Sequence, residues 1–126
     1  MLRTILWVGT GGFLGSVMRY LVQYLMEKSL STTFPWGTLI ANVTGSFIIG
    51  IIFALAEKEN LMSAEWRIFF AVGICGGFTT FSAFAYNSFT MISEGAWGSL
   101  LLNSAGNLFL GILDVYLGVI LIRFFL

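Results

Sequence analysis

The sequence predicts an all-α integral membrane protein with four transmembrane helices, and three observations support this fold class. Hydrophobic residues make up 58% of the 126-residue chain, and its mean hydropathy is +0.94. Charged residues make up only 10%, whereas a soluble domain has about a quarter. Four separate apolar segments each reach the length of about 20 helical residues that crosses a bilayer. We therefore expect one membrane domain, residues 1–126.

The four predicted helices cover about residues 4–26, 36–56, 67–92 and 97–124. Charged residues fall mostly between these ranges, and they are Glu27, Lys28, Glu57, Lys58, Glu59, Glu65, Arg67 and Glu94. The connections are short, so neighbouring helices should be antiparallel. The first apolar run continues past Leu25, which is too long for the core of a secretory signal.

The basic residues indicate how the helices are oriented. An even number of spans puts both termini on one side, together with Arg3, Lys58, Arg67 and Arg123. Lys28 lies on the other side, with Arg19 close to it in the first helix. Because cytoplasmic loops carry an excess of Lys and Arg, this bias favours termini in the cytoplasm. The bias is small, and it neither demands nor excludes insertion in both orientations.

Glycine is abundant, at 15 residues, and most of it lies inside the predicted helices. Gly11 and Gly15 are four residues apart in the first helix, and Ser46 and Gly50 repeat that spacing in the second. Small residues let helix backbones approach closely in lipid. These positions therefore predict close helix packing.

Polar residues inside a membrane helix are costly, so each is a functional candidate. In the second helix, Thr38 and Asn42 are four residues apart and share one face, with Gly45 and Ser46 one turn further on. The simpler interpretation of this stripe is a hydrogen bond between helices.

The middle of the third helix contains residues with low helix propensity. Gly76 and Gly77 are adjacent, and so are Thr79 and Thr80, and both residue types have low helix propensity. We predict a helix break here. Backbone freed at membrane depth must line a cavity or be buried in protein, and its carbonyls can hold a cation. The alternative is a kink without a ligand.

Two phenylalanines follow this stretch on one helical face. Phe81 and Phe84 are three residues apart. An aromatic ring has a negative face and a positive edge, so two edges turned toward a pore can stabilise a small anion without a fixed positive charge. The alternative interpretation is ordinary packing.

The fourth helix carries Asn103 and Asn107 four residues apart, with Gly111 and Asp114 continuing near that face. A carboxylate within an apolar run should be paired, protonated or facing water. In the first helix, Arg19 either extends to the membrane interface or gives an aqueous vestibule a positive potential.

Several function classes are disfavoured by what the chain lacks. It has no histidine, and Cys75 is its single cysteine. This excludes an intramolecular disulfide and His- or Cys-rich metal sites, and it removes nucleophile–base pairs that need an imidazole. We therefore expect no enzyme activity. The net charge is zero, so nothing indicates a nucleic-acid partner.

The sequence resembles the Fluc/CrcB family of small bacterial fluoride channels. The run Gly76-Gly77-Phe78-Thr79-Thr80-Phe81-Ser82-Ala83-Phe84 resembles the third-helix signature of that family. Residues 37–42 resemble its second-helix pattern, and residues 11–19 resemble its first. Length, four-span layout and motif order also match, so the resemblance covers essentially the whole chain.

The resemblance implies a passive fluoride channel of the bacterial cytoplasmic membrane, built as an antiparallel, dual-topology homodimer with two pores. A structural Na⁺ at the dimer interface would be held by the backbone carbonyls of Gly76 and Thr79 from both subunits. Arg19 would match a vestibule arginine. The implied fluoride pathway comprises Thr38, Asn42, Phe81, Ser82, Phe84, Asn103 and Asn107.

Some positions depart from the family pattern. Ala83 and Ala85 stand where the family often has hydroxyl residues, Asn87 where it often has a glutamate, and Val115 where it has a hydroxyl. Asp114 is an extra acid in the adjacent helix. We therefore hypothesise that Asp114 partly replaces the missing carboxylate.

Three alternatives remain open at the sequence level. A small multidrug-type dimeric transporter needs a carboxylate inside the first helix, but Glu27 lies only at its end. A non-transporting structural subunit of a membrane complex would use the break and the phenylalanines only for packing. Pairing with a different subunit, as a heterodimer, is the third alternative.

Overall fold

The computed structural model describes residues 1–58 and 61–126. The described residues form helices and turns without a strand. As predicted, four helical spans are long and apolar enough to cross a membrane, and they are Leu2–Ser29, Trp36–Glu57, Ala64–Ser93 and Trp97–Phe125. We call the first, second and fourth spans α1, α2 and α5. The third consists of α3 (residues 64–78) and α4 (Phe81–Ser93).

The third span is broken at Thr79 and Thr80, which confirms the predicted interruption. Both residues have extended backbone, with φ −85° and ψ 155° at Thr79 and φ −152° and ψ 123° at Thr80. The Thr80 hydroxyl then caps α4 by accepting the Ala83 N–H at 3.2 Å, as threonine does at helix N-termini. The break therefore ends one helix and starts the next within two residues.

Two further irregularities were not predicted from the sequence. Ile68–Cys75 in α3 and Gly106–Leu110 in α5 are π-helical. A π turn is wider than an α turn and is often found near functional sites. The second one contains Asn107.

Glycines form the closest contacts between helices, as predicted. A Cβ atom at Gly11 would lie 2.9 Å from Gly73 Cα in α3, and one at Gly15 would lie 2.9 Å from Phe78 N. On the other side, a Cβ at Gly50 of α2 would meet the backbone of Val115, and one at Gly118 would meet that of Ile51. Thus α1 packs on α3, and α2 packs on α5, at backbone distance.

The interior of one chain is small, and large apolar side chains mostly point outward. The buried cluster contains Ile52, Ala71 and Cys75. By contrast, Phe13 and Phe109 are each 67% exposed. Such a surface suits lipid or another protein, because water would have to hydrate many apolar side chains.

Ion pairs lie at the end of the molecule that carries both termini. Arg3 and Glu65 are 3.2 Å apart, and Arg123 and Glu57 are 3.1 Å apart. Near the first pair, the Trp7 and Trp66 rings are 5.2 Å apart. Aromatic and charged residues are enriched at membrane interfaces, so these residues mark one membrane surface.

Candidate functional site at the helix break

A cavity of about 450 Å³ lies beside the break, and we call it the break cavity. α2, α3, α4 and α5 all contribute to its wall. Its lining includes the predicted site residues Asn42, Gly76, Thr79, Phe81, Phe84 and Asn107. Charged side chains are absent from this lining among the described residues. The break therefore brings six of the predicted residues around one uncharged space.

Asn42 binds the backbone of the break directly. Its Oδ1 accepts the Thr80 N–H at 2.8 Å, and its Nδ2 donates to the Thr80 carbonyl at 3.2 Å. In a continuous helix, both backbone groups would bond within the helix. The side-chain amide of α2 thus satisfies polar groups that would otherwise be unpaired at membrane depth.

The asparagine contact continues into α5. Asn42 Nδ2 also donates to Asn107 Oδ1 at 2.8 Å. Asn107 Nδ2 in turn donates to the Asn103 carbonyl at 2.8 Å and to Asn103 Oδ1 at 3.0 Å. Three of the predicted pathway residues therefore form one chain of hydrogen bonds, which begins at Thr80 and ends at Asn103.

The break also releases two backbone carbonyls, and these are the two that were expected to bind a cation. The Thr80 N–H, which a continuous helix would give to the Gly76 carbonyl, goes to Asn42 instead. The Ala83 N–H, which would go to the Thr79 carbonyl, goes to the Thr80 hydroxyl. Carbonyl oxygens of interrupted membrane helices are known Na⁺ ligands, so these residues fit such an ion.

Phe81 and Phe84 both border the break cavity. Their ring centroids are 5.9 Å apart, and the ring planes are inclined by 52°. Phe81 is 79% exposed, so other parts of the chain hardly cover its ring. Ordinary packing within one chain therefore does not explain this side chain.

Thr38 lies in a different cavity from Asn42. This outer cavity, of about 360 Å³, is lined by Thr38 together with Gln23 and Asn87. The Thr38 hydroxyl accepts a hydrogen bond from Gln23 at 3.2 Å and one from Asn87 at 3.4 Å. A smaller cavity of about 230 Å³, which we call the hairpin cavity, shares Asn87 and is also lined by Ser99.

Four predicted site residues line none of these three cavities. Ser82 is exposed, and its hydroxyl lies 3.2 Å from that of Thr80. Asn103 is completely buried. Arg19 and Asp114 are partly buried, and neither forms an ion pair within residues 1–58 and 61–126. The roles proposed for these four residues stay predictions.

Asp114 and Asn87 lie at different depths. Asn87 contacts Thr38 at the beginning of α2, whereas the residue after Asp114 packs against Gly50. Thr38 and Gly50 are about 18 Å apart along the helix axis, at 1.5 Å per residue. Asp114 and Asn87 therefore lie far apart within one chain, and the hypothesis that Asp114 partly replaces the missing carboxylate stays a prediction.

Two contributors to these sites were missed from the sequence. For Gln23, the signal in the sequence is a polar residue one turn after Arg19 in a membrane helix. Thr80 was seen only as part of the break, and not as the cap of α4 and the partner of Asn42. Threonine before the first residue of a helix is a known N-cap signal. This signal indicates that Thr80 caps α4, but it does not indicate the contact with Asn42.

Comparison with known proteins identifies the family to which the chain belongs. A family model described as CrcB-like protein, Camphor Resistance (CrcB), matches residues 6–119. A relative from Thermus thermophilus is 45% identical over 113 residues, which cover 90% of each chain. One from Azobacteroides pseudotrichonymphae is 40% identical over 125 residues, or 99% of this chain and all of the relative. Both relatives are named fluoride-specific ion channel FluC.

The four apolar spans and these relatives together indicate a multi-pass bacterial membrane protein. A third relative, from Leptospira interrogans serovar copenhageni, has the same name and is 44% identical over 93 residues, which cover 74% of this chain and 73% of its own. The family model matches residues 6–119, which include parts of the first and fourth spans and all of the second and third. The chain therefore belongs to the CrcB family, whose fluoride-specific ion channels it resembles from end to end.

Proposed function

We propose that the protein is a passive, selective channel that exports fluoride across the bacterial cytoplasmic membrane. The observation that carries this proposal is the break cavity, in which aromatic rings and amides surround a space without a charged side chain. The names of the relatives support fluoride as the ion.

The chemistry of the cavity suits an anion that must enter and leave quickly. An isolated ion in hydrocarbon costs tens of kcal/mol, so the pathway has to supply ligands throughout. Conduction also requires that no single site holds the ion too strongly. The positive edges of Phe81 and Phe84, together with amide and hydroxyl donors, meet both conditions. A lysine or arginine at this depth would hold the anion more tightly.

Passive transport is sufficient for export. Fluoride enters cells as neutral HF and dissociates at the higher internal pH. An anion-selective pathway then lets the inside-negative potential drive fluoride out, with no need for ATP. The chain has no Gly-rich phosphate-binding motif, in agreement with this mechanism.

We place two copies in an antiparallel dimer with two pores, embedded in lipid. Gly76 is exposed, and Phe81 is 79% exposed, so the face that carries the break is uncovered in one chain. A second copy would provide the missing wall. The released carbonyls of Gly76 and Thr79 from both copies would hold a Na⁺ ion. The positive charge of this ion would balance the partial negative charges of the carbonyl oxygens at the interface.

Efflux from liposomes tests this function. The purified protein is reconstituted, and ion-selective electrodes follow fluoride and chloride release. We expect fast fluoride release with negligible chloride release. Well-folded dimers without flux would favour a structural subunit instead, and uptake of cationic drugs would favour a multidrug-type transporter.

The variant Phe81→Ile tests the role of the rings. We expect it to abolish fluoride efflux and to leave the fold intact, because Phe81 is barely covered within the chain. Phe89→Ile is the matched control, since Phe89 lies in the same helix, is 64% exposed and borders none of the described cavities. Equal efflux from both variants would remove the Phe81 ring from the mechanism.

A further inference from the structure

The outer cavity lies one helical turn from the break cavity, toward the loop that joins α1 and α2. In α2, Thr38 lines the outer cavity and Asn42 lines the break cavity. In α4, the neighbouring residues Ala83 and Phe84 are divided between the two cavities in the same way. Residues 32–35 of the loop also line the outer cavity, and this loop follows the end of the first span. The outer cavity therefore lies between the break cavity and one surface of the membrane.

Each cavity near this surface is lined by one charged residue. Among the residues that the structure describes, Glu27 is the only charged residue that lines the outer cavity, and Glu94 is the only one that lines the hairpin cavity. Both are acidic, and both are exposed. A cleft lined by one sign of charge focuses the electric field on its contents. A carboxylate at the outer cavity therefore repels an anion that enters there.

The basic residues nearest to Glu27 in the sequence do not pair with it. Within residues 1–58 and 61–126, Glu27 forms no ion pair. The Nζ atom of the adjacent Lys28 lies 5.9 Å from the centroid of the Tyr24 ring, a distance typical of a cation–π interaction. Arg19 lies two turns earlier, about 12 Å along the helix axis. The following loop, α2 and α4 contain no basic residue. The negative charge at the outer cavity therefore has no basic partner.

Two acidic residues at the opposite end of the molecule are different. Glu57 is paired with Arg123 at 3.1 Å, and Glu65 is paired with Arg3 at 3.2 Å. Neither of these acids lines one of the three cavities. The chain thus pairs two acids that lie outside the cavities and leaves Glu27, which lines one, without an ion pair. The charge of Glu27 is free to act on ions in the outer cavity.

We propose that Glu27 limits the rate at which fluoride enters the pathway from this surface, because its carboxylate lowers the concentration of anions in the outer cavity. This inference rests on the proposed fluoride function. Glu27 acts through its electric field and does not bind the ion. An ion in this cavity of about 360 Å³ is about 4–10 Å from the carboxylate, and at that distance in water a unit charge changes the local concentration of an ion about two- to sixfold.

Initial rates of fluoride efflux from liposomes test this role at two salt concentrations. In Glu27→Gln, we expect efflux about two- to sixfold faster than in the parent at low salt. The two rates should agree at high salt, because the screening length falls from about 30 Å at about 0.01 M to about 3 Å at about 1 M. Glu27→Asp keeps the charge and should keep the parent rate at both concentrations. A Glu27→Gln rate equal to that of the parent at low salt would overturn the proposal.

The variant Glu57→Gln is the control for position. It removes the same charge from an exposed carboxylate, but within one chain Glu57 lies about 28 Å from Thr38 along the axis of α2. At that distance in water the local concentration of an ion changes less than about 1.5-fold, so efflux should stay close to the parent rate. Equal acceleration in Glu27→Gln and Glu57→Gln would indicate a general effect of net charge and would refute the assignment to Glu27.

The electric field in the outer cavity also has a readout that needs no fluoride. Thr33 is exposed and lines this cavity, so Thr33→Cys places a reactive thiol there. The parent, whose single Cys75 is buried, is the blank. The thiol is treated with two thiosulfonate reagents, one with a sulfonate group and one with a trimethylammonium group. Adding Glu27→Gln should raise the ratio of the sulfonate rate to the trimethylammonium rate at least about fourfold at low salt, since the two rates change at least about twofold in opposite directions.

The two experiments fail in different ways. An unchanged reagent ratio would refute the field of Glu27. A raised ratio with unchanged efflux would mean that the field does not limit fluoride entry, and this result would also overturn the proposal. A parent protein without fluoride flux would refute the proposed channel function, while the reagent ratio would still report the field.

Discussion

The contact between α1 and α3 allows a sharp prediction about one added methyl group. In Gly11→Ala, the new Cβ would lie 2.5 Å from the Phe69 carbonyl oxygen and 2.9 Å from Gly73 Cα. Real Cβ atoms essentially never come closer than 3.0 Å. All of these neighbours are backbone atoms, so no rotamer change relieves the clash. The two helices must separate by at least about half an ångström along their contact.

The expected magnitude follows from measured effects of overpacking. Such insertions typically cost about 1–3 kcal/mol, which lowers the folding equilibrium roughly 5- to 150-fold. Gly9→Ala is the matched control, because it adds the same methyl to the same helix with nothing within 4 Å. Its effect should be neutral or slightly stabilising, since alanine favours helix more than glycine. The difference between the two variants isolates the helix contact.

The assay is equilibrium unfolding in mixed micelles by titration with SDS. Trp7 of α1 and Trp66 of α3 lie 5.2 Å apart at one end of this contact, so tryptophan fluorescence reports on it. We expect Gly11→Ala to unfold at a lower SDS fraction than Gly9→Ala and to lose fluoride efflux as α3 moves. Free energies of unfolding within about 0.5 kcal/mol of each other, well below the overpacking range, would refute the predicted contact.

Three more predictions concern polar groups. Thr38→Val removes the acceptor of two amide donors and should lower the free energy of unfolding by about 1–3 kcal/mol. The control Thr44→Val, at an exposed position of α2, should lower it less. Equal losses in the two variants would contradict a stabilising role for the hydrogen bonds of Thr38. Asp114→Asn should change fluoride efflux at one or more pH values, and parent-like rates from acid to neutral pH would end its proposed role. Arg123→Gln removes an exposed ion pair with Glu57, so unfolding free energy should fall by less than about 1 kcal/mol with unchanged efflux, and a larger loss would be inconsistent with an exposed pair.

Local sequence features were enough to predict the four spans and the place of the break. A chain with few charges and long apolar segments is suited to lipid and not to water. In lipid, backbone groups must form their hydrogen bonds within the protein, so each long apolar segment forms a helix. Paired glycines and paired threonines interrupt the third span for an equally local reason, their low helix propensity. The spacing of Phe81 and Phe84 placed them on one helical face, and both border the break cavity.

The π-helical turns were not predictable in the same way. Ile68–Cys75 consists of apolar residues and one glycine, and Gly106–Leu110 has Asn107 among such residues; local propensity does not separate a π turn from an α turn in such sequences. The second contains Asn107, whose Oδ1 accepts a hydrogen bond from Asn42 of α2.

The sequence by itself determined that this chain folds in lipid, that it crosses the membrane four times and that its third helix breaks beside two phenylalanines. Only the tertiary structure decided which groups the break binds. Asn42 is 38 residues from Thr80 and 65 from Asn107, and periodicity within one helix contains no information about such distant partners. The direction of each amide depends on what it faces in the assembled bundle.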